Sequence, residues 1–384
     1  MLSIPARDRD GRLAGPAEYR EAFDAWLGAN PAVLAQVTEP VHPFERRVAA
    51  MSELMGTLYT EGWSRCGWPE DVGGLGGSIL HRAAMWDALA ANGLRGMALF
   101  EHLEVLAPTL VAKGPGPFVA AVLPAFLRGR ERWCQGFSEP AAGSDLASLR
   151  TRARPAEGGY LITGRKIWTS WARYATWCLV LARTGTPESR HRGLTAFAVD
   201  LRSPGVEVNT VVQANGTDEL AEVAFDDVYV PQDRIVGEVG RGWDVAMHIL
   251  SHERGTFAWF RHCFLYRHLQ ENLTLAREGD DRALGEAVLD LAAVSAASAA
   301  GLRSHADDDP LGPRAAFTKL LLCAAEQSLN DWVLATDPDL AAGVQDAHTA
   351  WQREEYLFSR IVTVYGGSQQ MQLETIAKQI LRLP

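Results

Sequence analysis

The sequence predicts an α+β fold in three successive parts: an N-terminal α-helical domain (1–132), a central antiparallel β domain (133–239) and a C-terminal four-helix bundle (240–384). Three observations carry this. Apolar residues recur at helical spacing from Pro16 to about Arg132, and again from Gly240 almost to the end. Between them lie short runs rich in β-branched and aromatic residues, punctuated by turns, with no helical stretch among them. Strands that follow one another without crossover helices pair antiparallel.

In the first part the runs are PAEYREAFDAWLGA, FERRVAAMSELMGTLYTEG, SILHRAAMWDALAANG, MALFEHLEVLAPTLVAKG and PFVAAVLPAFLRG, several of them closing at Gly or before Pro. The loop Gly73-Gly74-Leu75-Gly76-Gly77 has neither the spacing of a dinucleotide fingerprint nor a strand before it, so it reads as a connection between helices. Strands are expected in YLITG, TWCLVLA, LTAFAVDL, GVEVNTVV and LAEVAFDDVYVP. The third part opens with a helix over Gly240–Phe264 and continues with Arg282–Ser304, Pro313–Ala335, Leu340–Tyr365 and Gln369–Leu383. The acidic loop from His305 to Pro310 reads as a solvated turn.

Hydrophobic residues are 47% and charged residues 22% of the 384, the balance of a globular chain with a substantial core. The net charge of −10 excludes nucleic acid as the main partner, because a phosphate backbone calls for a basic surface. Five scattered cysteines form no C-x-x-C pair, which fits a reducing, cytoplasmic setting. The N-terminus shows no secretory h-region, and the longest apolar run, Ala287–Leu302, reads as too short and small-residued for a membrane span.

The first C-terminal helix carries the candidate chemistry. Trp243, Ala246, Leu250, Phe257, Phe260 and Phe264 mark one apolar stripe, and its step between Leu250 and Phe257 lands on Glu253. A carboxylate there is costly to bury ionised, so its pKa rises, as a general base for a weak C–H acid requires. The plainer alternatives are that Glu253 pairs with Arg254 or sits at the stripe's rim. His248 and His252 share metal-chelating spacing but lack a third ligand, so no metal site is expected. Gly136-Phe-Ser-Glu-Pro140 and Gly143-Ser-Asp145 place small residues and hydroxyls after the first strand, where backbone N–H groups can approach a polar ring or phosphate. The first lacks the last Gly of a serine-hydrolase elbow. Trp168-Thr-Ser-Trp171 sets aromatics beside two hydroxyls, one wall for a flat ring.

Taken in order, four segments resemble the acyl-CoA dehydrogenase family of flavoproteins. They are the loop ending SEPAAGSD, GRKIWTSWARYATWCLVLAR, LAEVAFDDVYVPQDRIVGEVGRGWDVAM and SRIVTVYGGSQQMQLETIAKQILRLP. Many members carry the catalytic Glu directly after the Tyr of the closing motif, where this chain has Gly366. A smaller group, including isovaleryl- and long-chain-type enzymes, carries it in an E-R pair on the first C-terminal helix, which His252-Glu253-Arg254 matches. The resemblance implies that Gln135, Phe137, Ser138, Trp168, Thr169 and Ser170 surround the isoalloxazine ring of FAD. It implies that Ser144, Arg254 and Gly367 face the thioester carrier arm, and that Ser368, Gln370 and Arg282 serve the pyrophosphate, ribose and distant half of FAD. The last assignment is the loosest: the usual R-x-F-G is Arg282-Ala-Leu-Gly285 here, and a second Gly-Gly motif is absent from Leu320 to Asp346.

The implied reaction is α,β-dehydrogenation of an acyl-CoA or acyl carrier protein thioester. Glu253 removes the α-proton and the β-hydrogen leaves as hydride to the flavin. An electron-transferring flavoprotein as acceptor and a homodimer or homotetramer with FAD near a subunit interface follow from the same resemblance. Open space at Gly366 favours a branched or bulky acyl group. The alternatives are a flavin-dependent monooxygenase or oxidase on the same fold, and a non-catalytic subunit of a paired assembly.

Overall fold

Among the described residues five α-helices precede the first strand: α1 (Pro16–Ala29), α2 (Phe44–Thr60), α3 (Ile79–Ala91), α4 (Phe100–Lys113) and α5 (Gly116–Leu127). The computed structural model describes residues 13–38, 43–95, 100–254, 256–276, 281–309 and 311–384. The N-terminal segment 1–12 and the start of the run at Met97 therefore lie outside the described residues. Local chemistry sets the helix ends. Ser78 accepts from the Leu80 N–H at 3.3 Å while His81 Nδ1 accepts from Ser78 N–H at 3.1 Å, a capping box with imidazole in place of a carboxylate.

Eight strands follow: β1 (Trp133–Gly136), β2 (Arg152–Ala156), β3 (Gly159–Ser170), β4 (Trp177–Arg183), β5 (Leu194–Asp200), β6 (Val206–Val211), β7 (Leu220–Pro231) and β8 (Ile235–Val236). They form one sheet in the order β6-β7-β3-β2-β4-β5-β8, with β1 added on β4. Pairing is antiparallel except that β1 and one end of β2 run parallel to β4. The sequence pattern missed β2, whose run Arg-Ala-Arg-Pro-Ala has little β-propensity and a proline. Strand β4 is buried on both faces, and its side chains alternate between two cores. Leu179 and Leu181 face the N-terminal helices and the first C-terminal helix; Cys178, Val180 and Ala182 face the far side with Phe197 and Val223.

The C-terminal part holds α6 (Gly242–Arg254), α7 (Phe257–Asn272), α8 (Asp281–Ala306), α9 (Ala315–Thr336), α10 (Pro338–Ala341), α11 (Ala347–Ser359) and α12 (Gln369–Thr375), which continues as a wider π turn over Ile376–Ile380. Leu265, Leu291, Leu322, Leu329 and Trp332 centre its core. Two expected long helices are broken. Gly240–Phe264 is not one helix: α6 stops at Arg254 and α7 starts at Phe257, with the Thr256 hydroxyl donating to the His252 carbonyl at 3.2 Å. Leu340–Tyr365 is likewise divided, because Asp346 caps α11 by accepting the Thr349 N–H at 2.8 Å. Helix α8 outruns the apolar stretch read from sequence and is, by length and composition, apolar enough to cross a membrane; 22% of its apolar stretch is buried in the structure. All five cysteines are buried, and none of them forms a disulfide.

Candidate active site

The loop leaving β1 is fixed from beneath by a buried charge pair. Glu139 accepts from the backbone N–H groups of Arg150 (2.6 Å) and Thr151 (2.8 Å) and from Lys166 Nζ (2.9 Å). Lys166, fully buried, also donates to the Phe137 carbonyl at 3.0 Å. Burial alone would raise the Glu139 carboxyl; Lys166 and the bonds from Thr151 and Arg150 outweigh it and hold the group below its usual range. Burial brings the Lys166 ammonium down to about 8 against the pull of Glu139. Loop and strand are thereby clamped together.

Beside this loop, β3 bulges. Between Lys166 and Thr169 it advances three residues while β7 advances two, from Val223 to Ala221. Trp168 absorbs the distortion at φ +58° and is left 58% exposed, an uncommon backbone state for a bulky residue. The Ile167 N–H donates to the Ser138 carbonyl at 2.9 Å, joining bulge to loop. Thr169 Oγ1 is buried with no hydrogen-bond partner among the described residues. Ser170 bonds the carboxyl of Glu219, which burial pushes up to about 7. An outturned indole, an orphaned hydroxyl and a clamped loop suit a flat polar ring: the residues present fit a flavin.

The second group centres on α6. Its buried face is Val245, Ala246, Ile249 and His252, so the stripe expected through Leu250 and Glu253 forms the margin of that face, not its middle. Burial raises the Glu253 carboxyl above its ordinary value, while Lys319 and Arg254 pull it down. Its Oε2 is enclosed without a hydrogen-bond partner among the described residues. Arg254 does not neutralise it by pairing; its Nε donates to the Gly366 carbonyl at 2.8 Å. Gly366 sits at φ +65°, and a Cβ there would lie 3.0 Å from Glu253 Oε1. The space that would favour a bulky acyl group is thus taken by the base candidate itself, which withdraws that argument about substrate size.

Gln135 is half-buried, Phe137 buried and Ser144 exposed. Gly367 lies at φ +92° against Arg254, where a Cβ would meet Nη2 at 2.8 Å. Ser368 caps α12 by accepting the Met371 N–H at 3.3 Å, and Gln370 is exposed. The structure gathers Glu253, Arg254, Gly366 and Gly367, and separately the loop and bulge residues. It leaves Arg282 apart, its side chain 92% exposed and paired with Glu286 one turn on at 3.0 Å.

Sequence reasoning missed Glu139, Lys166 and Lys319. Lys319 was within reach: it falls on the buried stripe Ala315, Ala316, Lys319, Leu322, Cys323, Glu326 of α9. His248 and His252 stand 5.0 Å apart between ring centres, with His305 5.2 Å from His252. His248 Nδ1 bonds Thr109 Oγ1 at 2.8 Å and His305 Nδ1 bonds the Gly301 carbonyl at 3.0 Å. Burial keeps His248 and His252 below the ordinary imidazole value, and no group of metal ligands occurs among the described residues.

Family models match two stretches: the acyl-CoA dehydrogenase middle domain over residues 134–228 and the acyl-CoA dehydrogenase C-terminal domain over residues 240–381. The chain is 37% identical over 378 residues to acyl-CoA dehydrogenase IpdE1 of Mycobacterium tuberculosis, covering 96% of this chain and 97% of that one. Among solved structures it resembles the Tcur3481-Tcur3483 steroid ACAD, with a TM-score of 0.79 at 24% identity over 96% of each chain. It also resembles the ChsE4-ChsE5 complex of Mycobacterium tuberculosis, with a TM-score of 0.74 at 25% identity over 96% and 97%.

Proposed function

The chain belongs to the acyl-CoA dehydrogenase family and is a flavin-dependent acyl-CoA dehydrogenase; from that premise we propose that its flavin is FAD and that Glu253 is the base that takes the α-proton. The observation carrying the second assignment is the state of Glu253. It is a carboxylate at the margin of a buried helical face, with one oxygen enclosed and unbonded among the described residues and the other against a glycine. A carboxylate so held is a stronger proton acceptor than one in water and is aimed by its helix, not by a partner.

Bound flavin supplies the two-electron oxidation. Trp168 and the clamped loop at Phe137–Ser138 are suited to cover and edge its ring, and Thr169 and Ser170 offer hydroxyls. Arg254 positions the closing loop by holding the Gly366 carbonyl, which keeps Gly366 against the carboxylate and Gly367 against Arg254 itself. Ser144, Ser368, Gln370 and Arg282 are assigned to the carrier arm and the dinucleotide end. Electrons pass to an electron-transferring flavoprotein in this reading, and the buried cysteines, none in a disulfide, suit the cytoplasm.

Anaerobic addition of acyl-CoA thioesters tests the assignment. The wild-type flavin bleaches; Glu253→Gln binds flavin and thioester but loses reduction by about a hundred- to ten-thousand-fold. Reduction at the wild-type rate in Glu253→Gln would move the base elsewhere. Oxygen consumption tied to turnover would instead favour the oxidase reading.

A second reading concerns assembly. Helix α8 sinks Ala287, Leu291 and Val294 into the C-terminal core but leaves Val288 and Leu289 exposed, and Arg282 at its start points into solvent beside Glu286. Two of the structures it resembles are named as pairs of chains. The face of α8 is accordingly assigned to a second acyl-CoA dehydrogenase-type chain, identical or related. A monomer in light scattering that retains FAD tightly would overturn this.

A further inference from the structure

A buried ammonium faces the base candidate from the neighbouring helix. Lys319 on α9 is 2% exposed, and its Nζ lies 3.6 Å from the centre of the Tyr365 ring. Tyr365 directly precedes Gly366, the residue against which Glu253 Oε1 rests. Among the described residues no carboxylate stands within ion-pair distance of Lys319, so this cation is buried with an aromatic face as its near contact. Such burial is costly unless a charge close by benefits from it. The neighbouring carboxylates differ in need. Glu326, two turns further along α9, is already held by Arg261 at 2.6 Å; Glu253 has no bonded cation among the described residues.

We propose that Lys319 is a positioning residue for the base: through the Tyr365–Gly366 segment and across a gap wider than a salt bridge, its charge keeps Glu253 ionised in a site that otherwise favours the neutral acid. This rests on Glu253 being the base. The wider gap matters. A bonded ammonium would take the lone pair that must accept the α-proton, whereas a distant one stabilises the anion and leaves both oxygens free. The charges that reach Glu253 are Lys319 from α9 and Arg254 from its own helix; Cys323, Glu326 and Arg254 also act on Lys319. Burial lowers the Lys319 ammonium, and Glu253 is among the groups that restore it.

The sign follows directly. Glu253 works as the anion, so removing Lys319 makes ionisation harder and slows proton abstraction where the anion is scarce, on the acid side. The measurement is exchange of the α-hydrogens of 3,3-dimethylbutanoyl-CoA with D2O, followed by NMR against pH in the flavin-loaded protein. That thioester has no β-hydrogen, so exchange reports the base without oxidation. Lys319→Met is expected to move the acid limb to higher pH, losing on the order of tenfold at its foot and converging with wild type at its plateau. Lys319→Arg keeps the charge and restores the limb. A uniform loss at every pH, or a limb that does not move, overturns the proposal. If Lys319→Met does not fold, Lys319→Gln and the Arg variant decide it by the same limb. Glu253→Gln separates the two ideas: if it exchanges like wild type, the base assignment fails; if it is dead while Lys319→Met has an unmoved limb, only the role of Lys319 fails.

Discussion

The chain buries a lysine beside a carboxylate twice and treats the two cases oppositely. At the β1 loop, Lys166 and Glu139 touch, and two backbone N–H groups complete the shell around the carboxylate. At α6, Glu253 and Lys319 stand apart, and a carboxylate oxygen is enclosed with nothing bonded to it among the described residues. The first arrangement fixes backbone; the second leaves a group ready to take a proton. Complete satisfaction marks scaffold, and a buried deficit beside glycines marks chemistry.

Breaking the clamp should have the largest effect on folding. Lys166→Met leaves Glu139 ionised in the interior without its cation, and removal of one partner of a buried pair costs about 3–5 kcal/mol. Urea unfolding should show that loss, and the variant should release flavin. A cost below about 1 kcal/mol would mean that the two backbone N–H groups suffice and that the clamp is not electrostatic.

At the other region a methyl group is enough. Gly366→Ala places a Cβ 3.0 Å from Glu253 Oε1 at φ +65°, a left-handed conformation that costs a non-glycine residue about 1–2 kcal/mol. Activity should fall by more than stability does, because the carboxylate is the atom group that must yield. Gly366→Glu should be inactive in the wild-type background for the same reason. It should recover measurable activity only when Glu253 is cut back to Gly, since the two positions compete for one volume.

The two carboxylates also predict opposite responses to pH. Glu139 is held below its ordinary value, so its contribution to stability is present above the unfolded pKa and fades as pH falls through the folded one. Glu253 is raised, so its relative stabilisation is full below the unfolded pKa and lost as pH rises through the folded one. Glu253→Gln should therefore steepen the rise of unfolding free energy with pH across the mildly acidic range. It should also leave the protein as stable as wild type, or more so, at pH 8. A loss of stability at pH 8 would show that the carboxylate has a bonding partner after all.

Sequence periodicity located α1, α2, α3, β4 and β7 because each carries its burial pattern in a single local run. It also placed Glu253 on an apolar stripe, since side chains on one helix need no knowledge of the fold. What it could not show was tertiary. Helix α6 ends at Arg254 and α7 begins at Phe257 with Thr256 still in helical φ/ψ beside them, so nothing local marks the break and the helix reads straight through to Phe264. Strand β2 pairs along β3 despite Pro155, which only the register explains. The pairing of Glu139 with Lys166 spans 27 residues, and the approach of Gly366 to Glu253 joins segments more than a hundred residues apart. The absence of a side chain at Gly366 reads in sequence as vacancy; only the fold shows what fills it.

The smallest effect on folding is expected where a charge lies outside both regions. Arg282 is almost wholly exposed and meets Glu286 across one helical turn, a pairing worth about 0.3–0.5 kcal/mol in water. Arg282→Ala should therefore leave the urea midpoint of the apoprotein within that margin. In the assembled flavoprotein the prediction differs. If a second chain covers α8 and carries the distant half of FAD to Arg282, the substitution removes a charged donor from a dinucleotide, and flavin retention in gel filtration should fall several-fold while folding stays intact. Equal retention by Arg282→Ala and wild type would show that Arg282 is only a surface charge. The adenine half of the cofactor would then have to be gripped by other residues.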